Sequence, residues 1–364
     1  MSGIKALVID DTIVYRKIVG DVLKEIPGVE VVGTANNGKI ALSKIASLSP
    51  DIITLDIEMP EMNGIQVLEE LQKQSDPPTV VMLSTLTHEG SEMTIKALEL
   101  GAFDFVPKPD EGKMADNMQK VRDAINPIIR TVKRQKQTRL KIKNRAVTPT
   151  VKSQVPKTSP VKTSPAISVP RKAPSEIIGL GISTGGPNAL TRMIPMLPAS
   201  FSVPILIVQH MPPMFTASLA NSLNNKSALS VKEAENGDTI TGGTVYIAPG
   251  GKQMKIMAGG DGISRKIKIT DDPPENSCKP SVDYLFRSIA QHYVGRATGV
   301  IMTGMGSDGT KGLVQMKQSG SIVIAQNEET CTVFGMPKEP IESGLADVIA
   351  PLENIAGEII KTVA

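Results

Sequence analysis

The chain has 364 residues, 40% of them apolar, which is too long for one ordinary domain and sufficient for two packed cores. Aromatic residues make up 3% and Trp is absent, so those cores must rest on Val, Ile, Leu, Met and Ala. The net charge of +3 is misleading: residues 131–175 carry 12 Lys/Arg and no acid, leaving 28 basic against 37 acidic residues elsewhere. A globular nucleic-acid-binding surface should carry its own basic patch, so no nucleic-acid partner is expected.

Two cysteines, Cys278 and Cys331, fall in no pairing motif, which argues against a disulfide framework or a metal cage and fits a reducing compartment. The first residues, MSGIKALVIDD, have acids where a leader would have its apolar run. No stretch approaches the roughly 18 apolar residues that span a bilayer. A soluble cytoplasmic protein, not inserted in a membrane, is expected.

Along residues 1–125, buried-type strand runs (IKALVID, VEVVGTA, DIITLD, TVVMLS, DFVPKP) alternate with helical patterns such as TIVYRKIVGDVLKEI and GIQVLEELQKQ. That alternation implies a five-stranded parallel sheet covered by helices on both faces. Residues 126–175 change character. A basic helical run, TVKRQKQTRLKIKNR, leads into a stretch with six prolines between Pro149 and Pro174, spaced by Ser, Thr, Lys and Val. Such a stretch cannot bury a core and reads as an extended, mobile linker. From residue 176 to 364 the α/β alternation resumes, with strand candidates IIGLGIS, VPILIVQH, GTVYIAP, QMKIMAG, ATGVIMTG and SIVIAQ. A second, mostly parallel, doubly wound domain is predicted there.

In the first domain Asp10 and Asp11 end the first strand, Asp56 the third, Ser84 the fourth and Lys108 the fifth. These positions converge at the carboxyl edge of a parallel sheet, where ligands bind. Three converging carboxylates repel one another unless a cation joins them, and a hard oxygen cluster with open positions suits Mg²⁺. Lys108 then offers a cationic contact, and Ser84 a hydroxyl donor, to a phosphoryl group on one carboxylate.

In the second domain, strand IIGLGIS runs into TGGPNAL, and Gly181 to Gly185 fits G-x-S-x-G around Ser183. The glycines would leave Ser183 uncrowded, and the following helix would aim N–H groups at a developing oxyanion. A dinucleotide loop fails on two counts: Thr184 stands where its third glycine belongs, and no acid follows about 20 residues on. Three histidines compete for the role of base. His210 ends a strand, His292 follows a helical pattern, and His88 lies in the first domain, where an exposed loop is expected. Only His210 sits at a carboxyl edge. Asp308, in the glycine-rich turn after ATGVIMTG, would orient it, although an Asp there could also cap the next helix. The order Ser183, His210, Asp308 differs from the Ser, Asp, His order of the α/β-hydrolase fold.

The segments VIDD, LDIEMPEMNG, LST and VPKP resemble a response-regulator receiver domain. With GISTGGP, VQHMP, IAPGG, TGMGSDG and AQNEETCTVFGMP, the whole chain resembles the chemotaxis response-regulator protein-glutamate methylesterase family. The resemblance implies that Asp56 accepts a phosphoryl group and that Asp10 and Asp11 help hold Mg²⁺. Ser84 and Lys108 would relay the switch, and the Lys108–Pro109 peptide is often cis in such sites. It implies Ser183, His210 and Asp308 as a triad, with the Met305 backbone N–H in the oxyanion hole and no cofactor for the ester reaction. Methyl-accepting chemotaxis receptors would be substrates, with glutamine deamidation alongside, and a chemotaxis histidine kinase the phosphodonor. The surface near Glu99 to Phe105 is expected to carry the regulation.

Overall fold

The computed structural model describes residues 3–109, 113–145 and 173–363; the rest of the expected linker, 146–172, lies outside the described residues. Two compact units divide the chain: Met1–Thr85 with Asp104–Ala166, and Leu86–Phe103 with Ile167–Ala364.

The first unit builds its sheet from β1 (Ile4–Ile9), β2 (Val29–Ala35), β3 (Ile52–Asp56), β4 (Thr79–Ser84) and β5 (Asp104–Pro107), in the order β2-β1-β3-β4-β5, all parallel. Every residue of β3 is buried, as a central strand covered on both faces requires. Helices α1 (Ile13–Glu25), α2 (Gly38–Leu48) and α3 (Gly64–Leu71) follow the first three strands. Helix α3 starts on a full capping box between Asn63 and Gln66. Helix α4 (His88–Glu99) follows β4 but belongs to the second compact unit. Helix α5 (Met114–Arg145) continues past the expected boundary at 125, because Val121, Ile125, Ile128, Ile129 and Val132 form one buried stripe.

The second unit contains β6 (Ile177–Ile182), α6 (Gly186–Met193), β7 (Ile205–Gln209), α7 (Phe215–Asn224), β8 (Ser230–Glu233), β9 (Thr244–Ile247), β10 (Gln253–Ala258), β11 (Arg265–Thr270) and α8 (Val282–His292). It continues through β12 (Ala297–Ile301), α9 (Thr310–Gln318), β13 (Ile322–Gln326), α10 (Lys338–Glu342), β14 (Val348–Ala350) and α11 (Leu352–Val363). Seven strands form a parallel sheet in the order β14-β13-β12-β6-β7-β9-β8, while β10 and β11 pair as a separate antiparallel hairpin. The strand order reverses between β6 and β12, and such a switch point opens a crevice at the carboxyl edge.

Helix α8 buries Val282, Leu285, Phe286 and Ile289, the i, i+3, i+4, i+7 stripe of a core-facing helix. It packs onto β6 through missing side chains. A Cβ on Gly179 would sit 2.5 Å from Ile289 Cδ1, and one on Gly181 would sit 2.4 Å from Val282 Cγ1. The first glycine of G-x-S-x-G thus makes room for a helix, not for the Ser183 side chain. No helix of the described residues is long and apolar enough to cross a membrane.

Candidate active site and phosphorylation site

At the first unit's edge, Asp10 and Asp56 stand on the neighbouring strands β1 and β3. Lys108 Nζ reaches Asp10 Oδ2 and Asp56 Oδ2, each at 2.8 Å. The same ammonium lies 4.8 Å from the Tyr15 ring centroid, and the Tyr15 hydroxyl donates to Pro109 O at 2.7 Å. Ser84 ends β4 fully buried, its hydroxyl on Thr85 O. The Lys108–Pro109 peptide is not cis; among the described residues the cis bond is Lys279–Pro280. Burial raises the Asp56 pKa to about 6 against the lowering effect of Lys108, and the charges of Asp10 and Asp11 add to the rise. Burial works against the Lys108 charge, yet Asp56 and Asp10 outweigh it and raise its pKa. Asp10, Asp11 and Asp56 each offer an oxygen within 4.8 Å of one another, an all-oxygen donor set that fits a hard divalent cation.

The second site begins at the end of β6. Ile182 pairs with Gln209, so the next residues, Ser183 and His210, follow adjacent strands in register, and His210 N donates to Ile182 O at 3.2 Å. Half-buried Ser183 is fixed through its backbone. Its N–H donates to Thr303 O (3.0 Å), and its carbonyl accepts from Gly186 N (2.7 Å) and Gln209 Nε2 (3.1 Å). Gly185, at φ +79°, caps α6 in the left-handed region, where a Cβ would also meet Thr332 at 2.4 Å. On the β12 side, a Cβ on Gly304 would fall 2.8 Å from Ser183 Cβ, so this backbone passes directly beside the serine. Gly304 O accepts from Gly335 and Met336, while the Met305 N–H donates to none of the described residues.

His210 Nε2 and Asp308 Oδ2 lie 2.9 Å apart. Asp308 does not cap α9, whose N-cap is Gly309. It lies instead at the N-terminus of α8: Oδ2 accepts from Val282 N (2.7 Å), and Oδ1 from Asp283 N (3.2 Å), Ser281 Oγ (2.9 Å) and Asn276 Nδ2 (2.9 Å). Burial alone would raise its pKa, but His210 and these donors lower it to about 2. For His210, burial lowers the pKa, and the bonds to Asp308 and Cys278 outweigh that and push it up to about 9. Ser183 Oγ hydrogen-bonds neither His210 nor any other described residue.

His292 ends α8 and its pKa is lowered, first by burial and then by Arg265. His88 is the exposed first residue of α4, paired with Glu92, and not a loop residue. Burial, reinforced by Glu328, pushes the Cys331 thiol up to about 12, which makes it a poor nucleophile. Sequence reasoning missed Asn276, Ser281 and Asp283 around Asp308, and Cys278, whose Sγ lies 3.8 Å from His210 Nδ1. Only the PSVD start of α8, a Ser immediately ahead of a helical stripe, signalled any of them.

A receiver-type sheet with a carboxylate cluster, joined to a parallel-sheet unit with serine, histidine and aspartate at one edge, defines a response regulator with a hydrolase output. Residues 178–359 match the model described as CheB methylesterase, and residues 6–137 match the response regulator receiver domain. A protein-glutamate methylesterase/protein-glutamine glutaminase of Desulfotalea psychrophila is 56% identical over 100% of this chain and 99% of its own length. One of Bacillus subtilis is 42% identical over 99% of this chain and 98% of its own. The solved Thermotoga maritima CheB methylesterase catalytic domain is 44% identical with a TM-score of 0.50, covering 51% of this chain and 98% of that one. The chain belongs to the CheB methylesterase family.

Proposed function

We propose that the chain hydrolyses glutamyl methyl esters on methyl-accepting chemotaxis receptors, and deamidates receptor glutamines, under the control of its own phosphorylation. The observation that carries the ester chemistry is the His210–Asp308 pair, 2.9 Å apart, on the strand end next to Ser183. Ser183 Oγ attacks the ester carbonyl as His210 takes its proton. With Nε2 on Asp308, the nitrogen left for that proton is Nδ1. The tetrahedral oxyanion forms against the Met305 N–H, the donor that the fold leaves uncommitted beside Ser183. His210 returns the proton to the leaving methanol, or to ammonia when the substrate is glutamine. Water then repeats the sequence on the acyl-serine. Asp308 holds the ring in one tautomer and stabilises the imidazolium, as the raised His210 pKa reflects.

In the first unit Asp56 receives the phosphoryl group from a histidine kinase. Asp10, Asp11 and Asp56 would hold Mg²⁺, which supplies positive charge against the phosphoryl oxygens. Lys108 releases Asp56 to contact the new phosphoryl group, and Ser84 donates to it.

Helix α4 is the element through which that change reaches the esterase. Within the second unit, Glu99 accepts from Thr191 Oγ1 (3.2 Å) and Ser222 Oγ (2.5 Å) and pairs with Lys226 Nζ (2.6 Å), tying α4 to α6 and α7. Ser91 and Ser218 hydroxyls meet at 2.7 Å. Helix α6 follows Ser183 directly, so the position of α4 bears on the serine's own support. Methanol release from methylated receptor membranes, with and without a small-molecule phosphodonor, tests the whole reading. Release should require Ser183 and rise with phosphodonor; an equal rate on any simple ester and none on receptor would refute the substrate.

A further inference from the structure

The loop between β11 and α8 delivers a thiol to the candidate base. Cys278 Sγ lies 3.8 Å from His210 Nδ1, the ring nitrogen that Asp308 does not use. The loop is braced for this placement. Glu275 and Cys278 pair through their backbones at 3.0 and 2.8 Å, and Arg287 grips Glu275 with bonds of 2.6 and 2.5 Å. Asn276 and Ser277 sit at φ +53° and +63°, a region that costs non-glycine residues energy and persists where surroundings enforce it. From there Asn276 Nδ2 spans Asp308 Oδ1 (2.9 Å) and Asp283 Oδ2 (2.8 Å), locking loop, acid and helix together.

His210, Cys278 and Asp308 each present a ligand atom within 4.8 Å of one another. Their chemistry is that of a soft-metal site. A metal-bound histidine commonly donates its other ring N–H to a carboxylate, which is the role Asp308 already fills at Nε2. Around tetrahedral Zn²⁺, with bonds of about 2.0–2.1 Å to nitrogen and about 2.3 Å to sulfur, the two ligand atoms stand about 3.6 Å apart. Here they stand 3.8 Å apart. Asp308 itself is committed, with both oxygens accepting from α8, Asn276, Ser281 and His210. It orients the histidine and leaves the remaining metal positions to solvent.

We propose that His210 Nδ1 and Cys278 Sγ bind a soft divalent cation of the Zn²⁺ class, closing the esterase by occupying the nitrogen that takes the Ser183 proton. Binding displaces the thiol proton and any proton on His210 Nδ1 to solvent, leaving thiolate and neutral imidazole as ligands with no change of oxidation state. Thiolate and imidazole favour Zn²⁺ or Co²⁺ over Mg²⁺, so the oxygen cluster of Asp10, Asp11 and Asp56 is served by a different metal. The consequence for activity, though not the site itself, rests on the reading of His210 as base.

The test uses full-length protein in excess Mg²⁺, titrated with Co²⁺. A thiolate-to-cobalt charge-transfer band should appear in the near ultraviolet, vanish in Cys278→Ser and persist in Cys331→Ser. In parallel, Zn²⁺ is added to the methanol-release assay, each protein being compared with its own chelator-treated rate. The half-inhibiting Zn²⁺ concentration should rise more than about tenfold in Cys278→Ser. No band in the parent, or a band surviving in Cys278→Ser, would overturn the site. Because the parent is read unmodified, a misfolded variant does not remove the test. A Cys278-dependent band with methanol release indifferent to Zn²⁺ would uphold the site and overturn His210 as the base.

Discussion

Asp56 and Asp308 are both 3% exposed, both at the carboxyl edge of a parallel sheet, and both beside a cationic side chain, yet their pKa values move in opposite directions. Asp56 shares a single ammonium with Asp10 and feels Asp11 as well, so burial prevails and its pKa rises to about 6. Asp308 has a histidine to itself and four further donors, two of them N–H groups at the start of a helix, so the donors prevail and its pKa falls to about 2. A carboxylate left short of donors is disposed to react or to bind a cation. One that is saturated with them is disposed to stay ionised and hold a partner in place.

The sharpest break of that comparison would come from the chemistry each carboxylate is assigned. Ser183→Ala should lower methanol release by about 10³–10⁶-fold, and His210→Gln comparably, while His292→Gln keeps most activity. Normal release from folded Ser183→Ala would remove the serine from the mechanism, and the two histidine variants ranked the other way would remove the saturated acid's partner. For the under-supplied carboxylate, Asp56→Asn should take up no phosphoryl group from a small-molecule donor, and chelator should block uptake by the parent. Intact mass spectrometry decides both. A smaller effect follows from His210. Because the base must be neutral and its pKa is about 9, kcat/KM should climb about tenfold per pH unit from neutrality and flatten near 9. Stability runs the other way: a raised histidine pKa stabilises the fold below the unfolded value, and that contribution is lost as pH rises through about 9. A pH-rate profile paired with urea midpoints checks the opposed trends. The smallest effect concerns α4. Glu99→Ala, which unties Thr191, Ser222 and Lys226, should raise the resting rate toward the phosphorylated one by up to the 5–150-fold that such couplings span, about 1–3 kcal/mol. A resting rate that falls instead would mean that α4 supports the esterase.

Most of the framework was legible because parallel sheets announce themselves as continuous apolar runs, and because their carboxyl ends are where chemistry collects. Asp10, Asp56, Lys108, Ser183 and His210 could each be placed by that rule alone. Strands β8, β11 and β14 escaped notice for a physical reason. SVKE and RKIKIT carry charges that mask the strand signal, and VIA is three residues long. The surroundings of the His210–Asp308 pair were illegible because Asn276, which donates to Asp308, and Cys278, which approaches His210, come from a loop that turns through left-handed Asn276 and Ser277, which leaves no periodic trace. The packing of α4 was half visible. The sequence pointed to the surface from Glu99 to Phe105, but nothing in it marked the hydroxyls of Thr191 and Ser222 that donate to Glu99.

The bare ridge of Gly179 and Gly181 on β6 has a bearing on how such enzymes vary. One strand both leads into Ser183 and, through that ridge, sets the height of the helix whose first turn grips Asp308. Ser183 and Asp308 are therefore levelled against a common datum, and a methyl group added at Gly181 would press on Val282, the first residue of that helix. A motif search that treats the leading glycine of G-x-S-x-G as mere clearance for serine would admit alanine at that place. In this architecture the substitution would lift α8, and lineages should drift freely around the ridge while leaving it unfilled.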